Sequence, residues 1–224
     1  LRHCDAVAFA VPPDVQAQLA PVAAAAGKPL LLEKPIALTL ADARAMVGSI
    51  DAAGVPTQLM LSKRYSSRIR HFLADVRDFA VTGLRTSFVS GAFLPGSPFA
   101  TPWRLREGAV LDVGPHVLDL MDAVGGRIDS ISFTGDPLNV VSVTTVHEGG
   151  AIGQACISSV VPGDLWDLDV FGPGGILSAP PRDDGESAEI MVTIAEEFAH
   201  VVRSGRSHEL DAHRGLYLQE LMQG

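Results

Sequence analysis

The stretch that most constrains this chain is Leu30-Leu31-Leu32-Glu33-Lys34-Pro35, an apolar run that ends in an acid, a base and a proline. A short continuous apolar run of this kind reads as a strand buried on both faces, as in a parallel sheet. Pro35 lacks a backbone donor and ends the ladder, and it holds Lys34 in an extended or turn conformation. An acid and a base therefore stand at the carboxyl end of a buried strand, the edge where open α/β sheets take their ligands. Lys34 is there either a solvated cap or a working group, and the rest of the chain has to decide.

The flanking segments alternate in type. Ala6 to Val11 is an apolar run of strand length, stopped by Pro12-Pro13, and Asp14 is the expected N-cap of an alanine-rich helix over 15–26. Pro21 predicts a kink in that helix, and Gly27 suits its C-terminus. Thr39 predicts the start of a second helix over 40–53, Gly54 its end, and Pro56 to Ser62 a third strand. Strand, helix, strand, helix, strand with short connections implies parallel pairing. This is the second half of a doubly wound nucleotide-binding sheet. No Gly-x-Gly-x-x-Gly turn occurs in the 224 residues, and Gly172-Pro173-Gly174-Gly175 does not qualify because no helical pattern follows it.

Beyond residue 62 the pattern changes. A charged helical segment over 64–79 and an alternating strand over 85–93 precede a proline-rich loop over 94–106, which contains Trp103-Arg104. A helix is expected from about Asp112, closed by Gly125-Gly126, followed by strands over 127–133, 139–147, 151–160, 167–171 and 175–177. Helices are expected over 196–204 and from 211. The fold class expected is thus α/β plus α+β: a partial Rossmann domain over 1–62, then an α+β domain over 63–224 with a mostly antiparallel sheet.

Bulk composition narrows the partners. Asp plus Glu number 26 against 17 Lys plus Arg, a formal charge of −9, so neither nucleic acid nor an anionic membrane surface is an expected partner. The 2 cysteines, Cys4 and Cys156, supply no disulfide framework or zinc spacing, which fits a cytoplasmic protein. The chain opens Leu1-Arg2-His3-Cys4-Asp5, with no Met and no signal peptide, so a preceding segment is expected.

Asp112 and His116 are four apart and share one face of a helix. Pro115 fits if that helix begins near Asp112, and a helix N-terminus favours an anion and a neutral imidazole. A neutral histidine beside a carboxylate is a proton acceptor near neutral pH. The bland alternative makes Asp112 an N-cap and His116 a satisfied, half-buried side chain. A metal-dependent hydrolase is the weakest reading, since no third ligand stands out among His147, His200, His208 and His213. Asp119 is expected to serve its own helix or a neighbouring arginine.

Taken together, Ala26-Gly27-Lys28 before Glu33-Lys34-Pro35, and Val110-Leu111-Asp112-Val113-Gly114-Pro115-His116-Val117-Leu118-Asp119, resemble the two signatures of the Gfo/Idh/MocA family of oxidoreductases. Val11 to Gln16 is similar to that family's Thr-Pro-x-x-x-His, and Pro102-Trp103-Arg104 to its Trp-Arg loop. The resemblance implies a catalytic set of Lys34, Asp112 and His116, with NAD or NADP as cofactor and a secondary hydroxyl of a sugar, inositol or related polyol as substrate. It implies that Pro12, Pro13, Gln16, Glu33, Lys34 and Arg64 line the cofactor side. Lys34, Trp103, Arg104, Asp112 and His116 would face the substrate, with no metal. A cis Lys34-Pro35 bond and a homodimer or homotetramer built through the open sheet face follow from the same resemblance.

Three departures stand out. Gln16 replaces the family histidine, Arg106-Glu107 stand where glycines are common, and the first half of the dinucleotide domain is missing. On that ground these residues alone are expected to bind a dinucleotide poorly. The alternative function is a truncated, non-catalytic family member kept for binding or assembly.

Overall fold

The computed structural model describes residues 1–181 and 183–224. In chain order the elements are β1 (Val7–Ala8), α1 (Pro13–Ala25), β2 (Leu30–Leu32), α2 (Leu40–Ala53), β3 (Thr57–Leu59), α3 (Ser67–Arg77), β4 (Gly83–Ser90) and α4 (Pro102–Gly125). Then come β5 (Ile128–Gly135), β6 (Val141–His147), β7 (Ile152–Ser158), β8 (Asp164–Gly172), β9 (Gly175–Ser178), α5 (Ser187–Ser204) and α6 (Ala212–Gln223). The chain forms two compact units, one of residues 1–62 with 188–224, the other of residues 63–187.

The first unit holds a three-stranded parallel sheet in the order β1-β2-β3. Its central strand, Leu30-Leu31-Leu32, is buried throughout, as the apolar run requires. α2 has the ends its sequence predicts. Thr39 Oγ1 accepts from the Asp42 amide at 3.1 Å, and Gly54 adopts the left-handed φ of 64° that ends the helix. α1 differs from expectation at its start. Pro12 is the N-cap, Pro13 presets the first helical φ, and Asp14 sits in the first turn rather than capping it. The helix continues through Pro21. The first strand pairs over only two residues, because Pro12-Pro13 turn the chain into α1.

Residues 188–224 belong with this first unit, whereas the sequence pattern puts them in the second domain. The outer edge of β3 is the reason. The Leu59 amide donates to the Leu210 carbonyl at 2.7 Å and the His208 amide to the Thr57 carbonyl at 2.9 Å. Thr57 Oγ1 also accepts from the Ala212 amide at the start of α6, at 3.0 Å. A strand edge left bare after residue 59 is thus satisfied by a segment 150 residues later (the Thr57 amide to Ser207 Oγ, 3.0 Å).

The second unit is a six-stranded sheet in the order β5-β6-β7-β4-β8-β9. Only β4 and β7 run parallel; the other neighbours are antiparallel. β6 shows why the pattern reads as a half-buried strand. Val141, Val143, Thr145 and His147 are buried while Ser142, Thr144 and Val146 are exposed. α4 covers the buried face, with Leu118 and Met121 fully enclosed. The opposite face exposes Val146, Ile152, Leu165 and Ile176. α3 begins after a short 3₁₀ turn over Ser62–Tyr65, with Ser66 as its N-cap, so the expected helix from residue 64 starts three residues later.

Candidate active site

The first unit presents the carboxyl edge of its parallel sheet. β2 ends at Leu32, Glu33 and Lys34 are half-buried, and Pro35 and Ile36 return to the interior. The Lys34-Pro35 peptide is cis, and the Lys34 amide donates to Glu33 Oε2 at 3.1 Å. Pro12 is exposed and Pro13 buried at the adjacent start of α1.

Gln16 departs from its expected place on the cofactor side. Its side chain is fully buried, at 0% exposure. Oε1 accepts from the Glu33 amide at 2.8 Å. Nε2 donates to the Glu33 carbonyl at 2.8 Å and to the Ile36 carbonyl at 3.2 Å. Both amide protons and the carbonyl oxygen are therefore engaged by main chain on either side of Lys34-Pro35, within a fully buried side chain.

In the second unit, α4 is two helical segments joined at a break. Gly108 has φ 82° and ψ −177° within it. A side chain there is excluded twice, by the positive φ and because a Cβ would overlap the Pro137 carbonyl oxygen at the β5–β6 turn. That same carbonyl accepts from the Ala109 amide at 3.1 Å, so the hairpin caps the second segment. Trp103 and Arg104, expected in a loop, lie on the first segment, which starts at Pro102 after Thr101.

The break decides what Arg104 can reach. On a straight helix, residues eight apart are separated by about 12 Å along the axis. Here Arg104 Nε lies 3.1 Å from Asp112 Oδ1, with the two side chains 22% and 10% exposed. The guanidinium stacks on Trp103, 4.6 Å from the ring centroid, and donates to Thr101 Oγ1 at 3.3 Å. Trp103 itself is buried. Both residues expected against substrate thus hold α4 together, and Asp112 lies within the helix rather than capping it.

Asp112, His116 and Asp119 follow the i, i+4, i+7 spacing of one helix face. Asp119, 1% exposed at its side chain, takes both oxygens to Arg64 Nη1 at 3.2 and 3.3 Å. Arg64, expected on the cofactor side, is therefore committed to a carboxylate of its own unit, the service Asp119 was expected to give. Between Leu111 and Met121, His116 alone is half-exposed. The face thus presents one imidazole between two arginine-paired carboxylates. Such a face offers a proton acceptor in a fixed frame.

His147 and His208 have structural partners. His147 Nδ1 lies 2.6 Å from the Gly126 carbonyl, which can only accept, so Nδ1 carries the proton and Nε2 accepts from Thr145 Oγ1 at 2.9 Å. His208 Nδ1 accepts from the Leu210 amide at 2.9 Å while Nε2 faces Glu197 at 3.0 Å. Among the described residues no three of His, Cys, Asp and Glu gather where they could hold a metal ion, and no helix is long and apolar enough to cross a membrane.

Comparison with known proteins bears on the fold and its family likeness. A family model described as an oxidoreductase family with an NAD-binding Rossmann fold matches residues 1–60. D-apiose dehydrogenase of Paraburkholderia graminis is 33% identical over 144 residues, 59% of this chain and 38% of that protein. The rhizopine catabolism protein MocA of Rhizobium meliloti is 27% identical over 218 residues, 90% of this chain and 68% of its own length. The chain thus spans well under half of the first relative and about two thirds of the second. Among solved structures, GenD2 from gentamicin A biosynthesis, in complex with NAD, superposes with a TM-score of 0.85 at 20% identity, covering 99% of this chain and 75% of that one. A putative myo-inositol dehydrogenase from Sinorhizobium meliloti superposes at 0.84 with 20% identity, covering 99% and 78%. At those identities the structures speak for the fold, a Rossmann-type parallel sheet followed by a mixed sheet with helices.

Proposed function

We propose that this chain, whose residues 1–60 match an oxidoreductase family model with an NAD-binding Rossmann fold, is of the Gfo/Idh/MocA type and serves an NAD- or NADP-dependent dehydrogenase acting on a secondary hydroxyl of a sugar, an inositol or a related polyol. The observation that carries the proposal is the acid–base pair at the carboxyl end of the buried central strand, where Glu33 and Lys34 stand half-buried. The residues fit a nicotinamide in part. Pro12, Pro13, Glu33 and Lys34 would hold its end of the cofactor, whereas Gln16 is enclosed, Arg64 is paired, and a pyrophosphate-cradling glycine turn is not among these residues. When bound, the nicotinamide supplies the hydride acceptor.

In this reading the chain's own side chains manage the proton. His116 takes the hydroxyl proton on its imidazole. The Lys34 ammonium donates a hydrogen bond to the same oxygen as negative charge grows there. Asp112 orients the imidazole, and Arg104 holds Asp112 at 3.1 Å. A second copy of the chain is the proposed partner, seated on the sheet face that exposes Ile152, Leu165 and Ile176. The relatives' names, apiose dehydrogenase and inositol dehydrogenase, support the polyol class.

The test is an assay of nicotinamide reduction on a polyol panel, with Lys34→Ala beside the wild type. Loss of at least about a hundredfold in kcat is expected from removing that hydrogen-bonding cation. Equal turnover by the variant would remove Lys34 from the reaction.

A further inference from the structure

The resemblance puts Gln16 on the cofactor side, but its geometry points elsewhere. It lies one turn into α1, whose start is fixed by Pro12 and Pro13, and its own amide donates to the Pro12 carbonyl at 3.0 Å. From there the side chain crosses to the end of β2 and is enclosed completely. Its three main-chain bonds reach the Glu33 amide, the Glu33 carbonyl and the Ile36 carbonyl. They bracket Lys34-Pro35 on both sides. A buried turn without these bonds would leave an amide and two carbonyls unsatisfied.

We infer that Gln16 is the positioning residue for Lys34: a neutral clamp that fixes the Glu33–Ile36 main chain and so aims the lysine. The inference deepens the reading of Lys34 proposed above and rests on it for its catalytic consequence. It also explains why a glutamine can stand where the resembling family has a histidine. Both side chains offer one acceptor and at least one donor on opposite sides of a flat group, so either can bridge an amide and a carbonyl. An apolar isostere can do neither.

The experiment compares Gln16→Met and Gln16→His with wild type in the full chain, by amide hydrogen exchange and by steady-state kinetics. In Gln16→Met, exchange over residues 30–37 should accelerate at least about tenfold, with α2 and β4–β9 unchanged. The kcat should fall at least about tenfold while KM for the nicotinamide cofactor stays within about threefold, because the reacting geometry rather than binding is lost. Gln16→His should restore both. Faster exchange spread evenly through α1 and α2, or an unchanged 30–37 segment, overturns the clamp. So does a kcat that follows only the loss of folded protein, or a Gln16→His variant that behaves like Gln16→Met. A wild type inert toward every polyol with either cofactor would defeat the proposed reaction instead, and the exchange arm would then decide the clamp by itself.

Discussion

The two units fix their key residues by opposite means. At the end of β2, a single uncharged and fully buried side chain, Gln16, holds the turn around Lys34 through main-chain bonds. On α4, two arginine–carboxylate pairs, Arg104 with Asp112 and Arg64 with Asp119, frame His116. The neutral clamp has no charge to screen or titrate. The ionic frame gains Coulomb energy but carries a desolvation cost, so each of its members matters most when its partner is left behind. Lys34 should therefore keep its position across salt and pH, while the α4 face should respond to both.

The largest effect should come from the most buried pair. Arg64→Met takes the guanidinium away from the buried Asp119 carboxylate and should cost about 3–5 kcal/mol in denaturant unfolding. Replacing both partners, Arg64→Met with Asp119→Leu, should recover most of it, a recovery the neutral clamp cannot show. Full additivity of the two losses would mean the pair is not coupled. Next comes Gly108→Ala, which meets both a positive φ and the Pro137 carbonyl. A loss of about 2–4 kcal/mol is expected, with faster amide exchange in α4 from Ala109 onward.

A smaller change separates the two modes more cleanly. Arg104→Gln removes a pair that is 22% and 10% exposed and should cost about 1 kcal/mol at low ionic strength, less in 1 M salt. Exchange over 30–37 should be the same at both salt concentrations. A clamp that loosened with salt would erase the contrast. The smallest effect is expected at the sheet surface. The Ser178 hydroxyl, and after it Arg85, hold the Asp169 carboxyl below the usual carboxylate range. A depressed value means that this stability is present above the ordinary carboxylate pKa and is lost as pH falls through the folded one. Asp169→Asn should therefore flatten the acid limb of the stability–pH curve and leave the neutral region nearly unchanged.

What was legible in the sequence was local. The triple leucine before Glu33-Lys34-Pro35, the Thr39 and Gly54 ends of α2, and the alternation of β6 each carry their structure in a few adjacent residues. The placing of Asp112 and His116 four apart on one helix was legible for the same reason. What escaped was set by contacts distant in sequence. Nothing near Thr57 announces that residues 207–212 will cover the edge of β3. Nothing near Gln16 in sequence announces its three bonds to the main chain of Glu33 and Ile36. Arg104 looked like a loop residue because Arg106-Glu107-Gly108 hides a helix that breaks and resumes. The Thr101-Pro102 start was the one signal that could have exposed it.

The measurement that bears most directly on the proposed reaction is a double-mutant cycle in kcat between Lys34→Ala and His116→Ala, one residue from each unit. If both serve one proton-coupled hydride transfer, the double variant should be within about threefold of the slower single variant, because groups that act as a unit are strongly non-additive. If the two losses multiply, Lys34 and His116 act independently, and the reading of a shared reaction is contradicted.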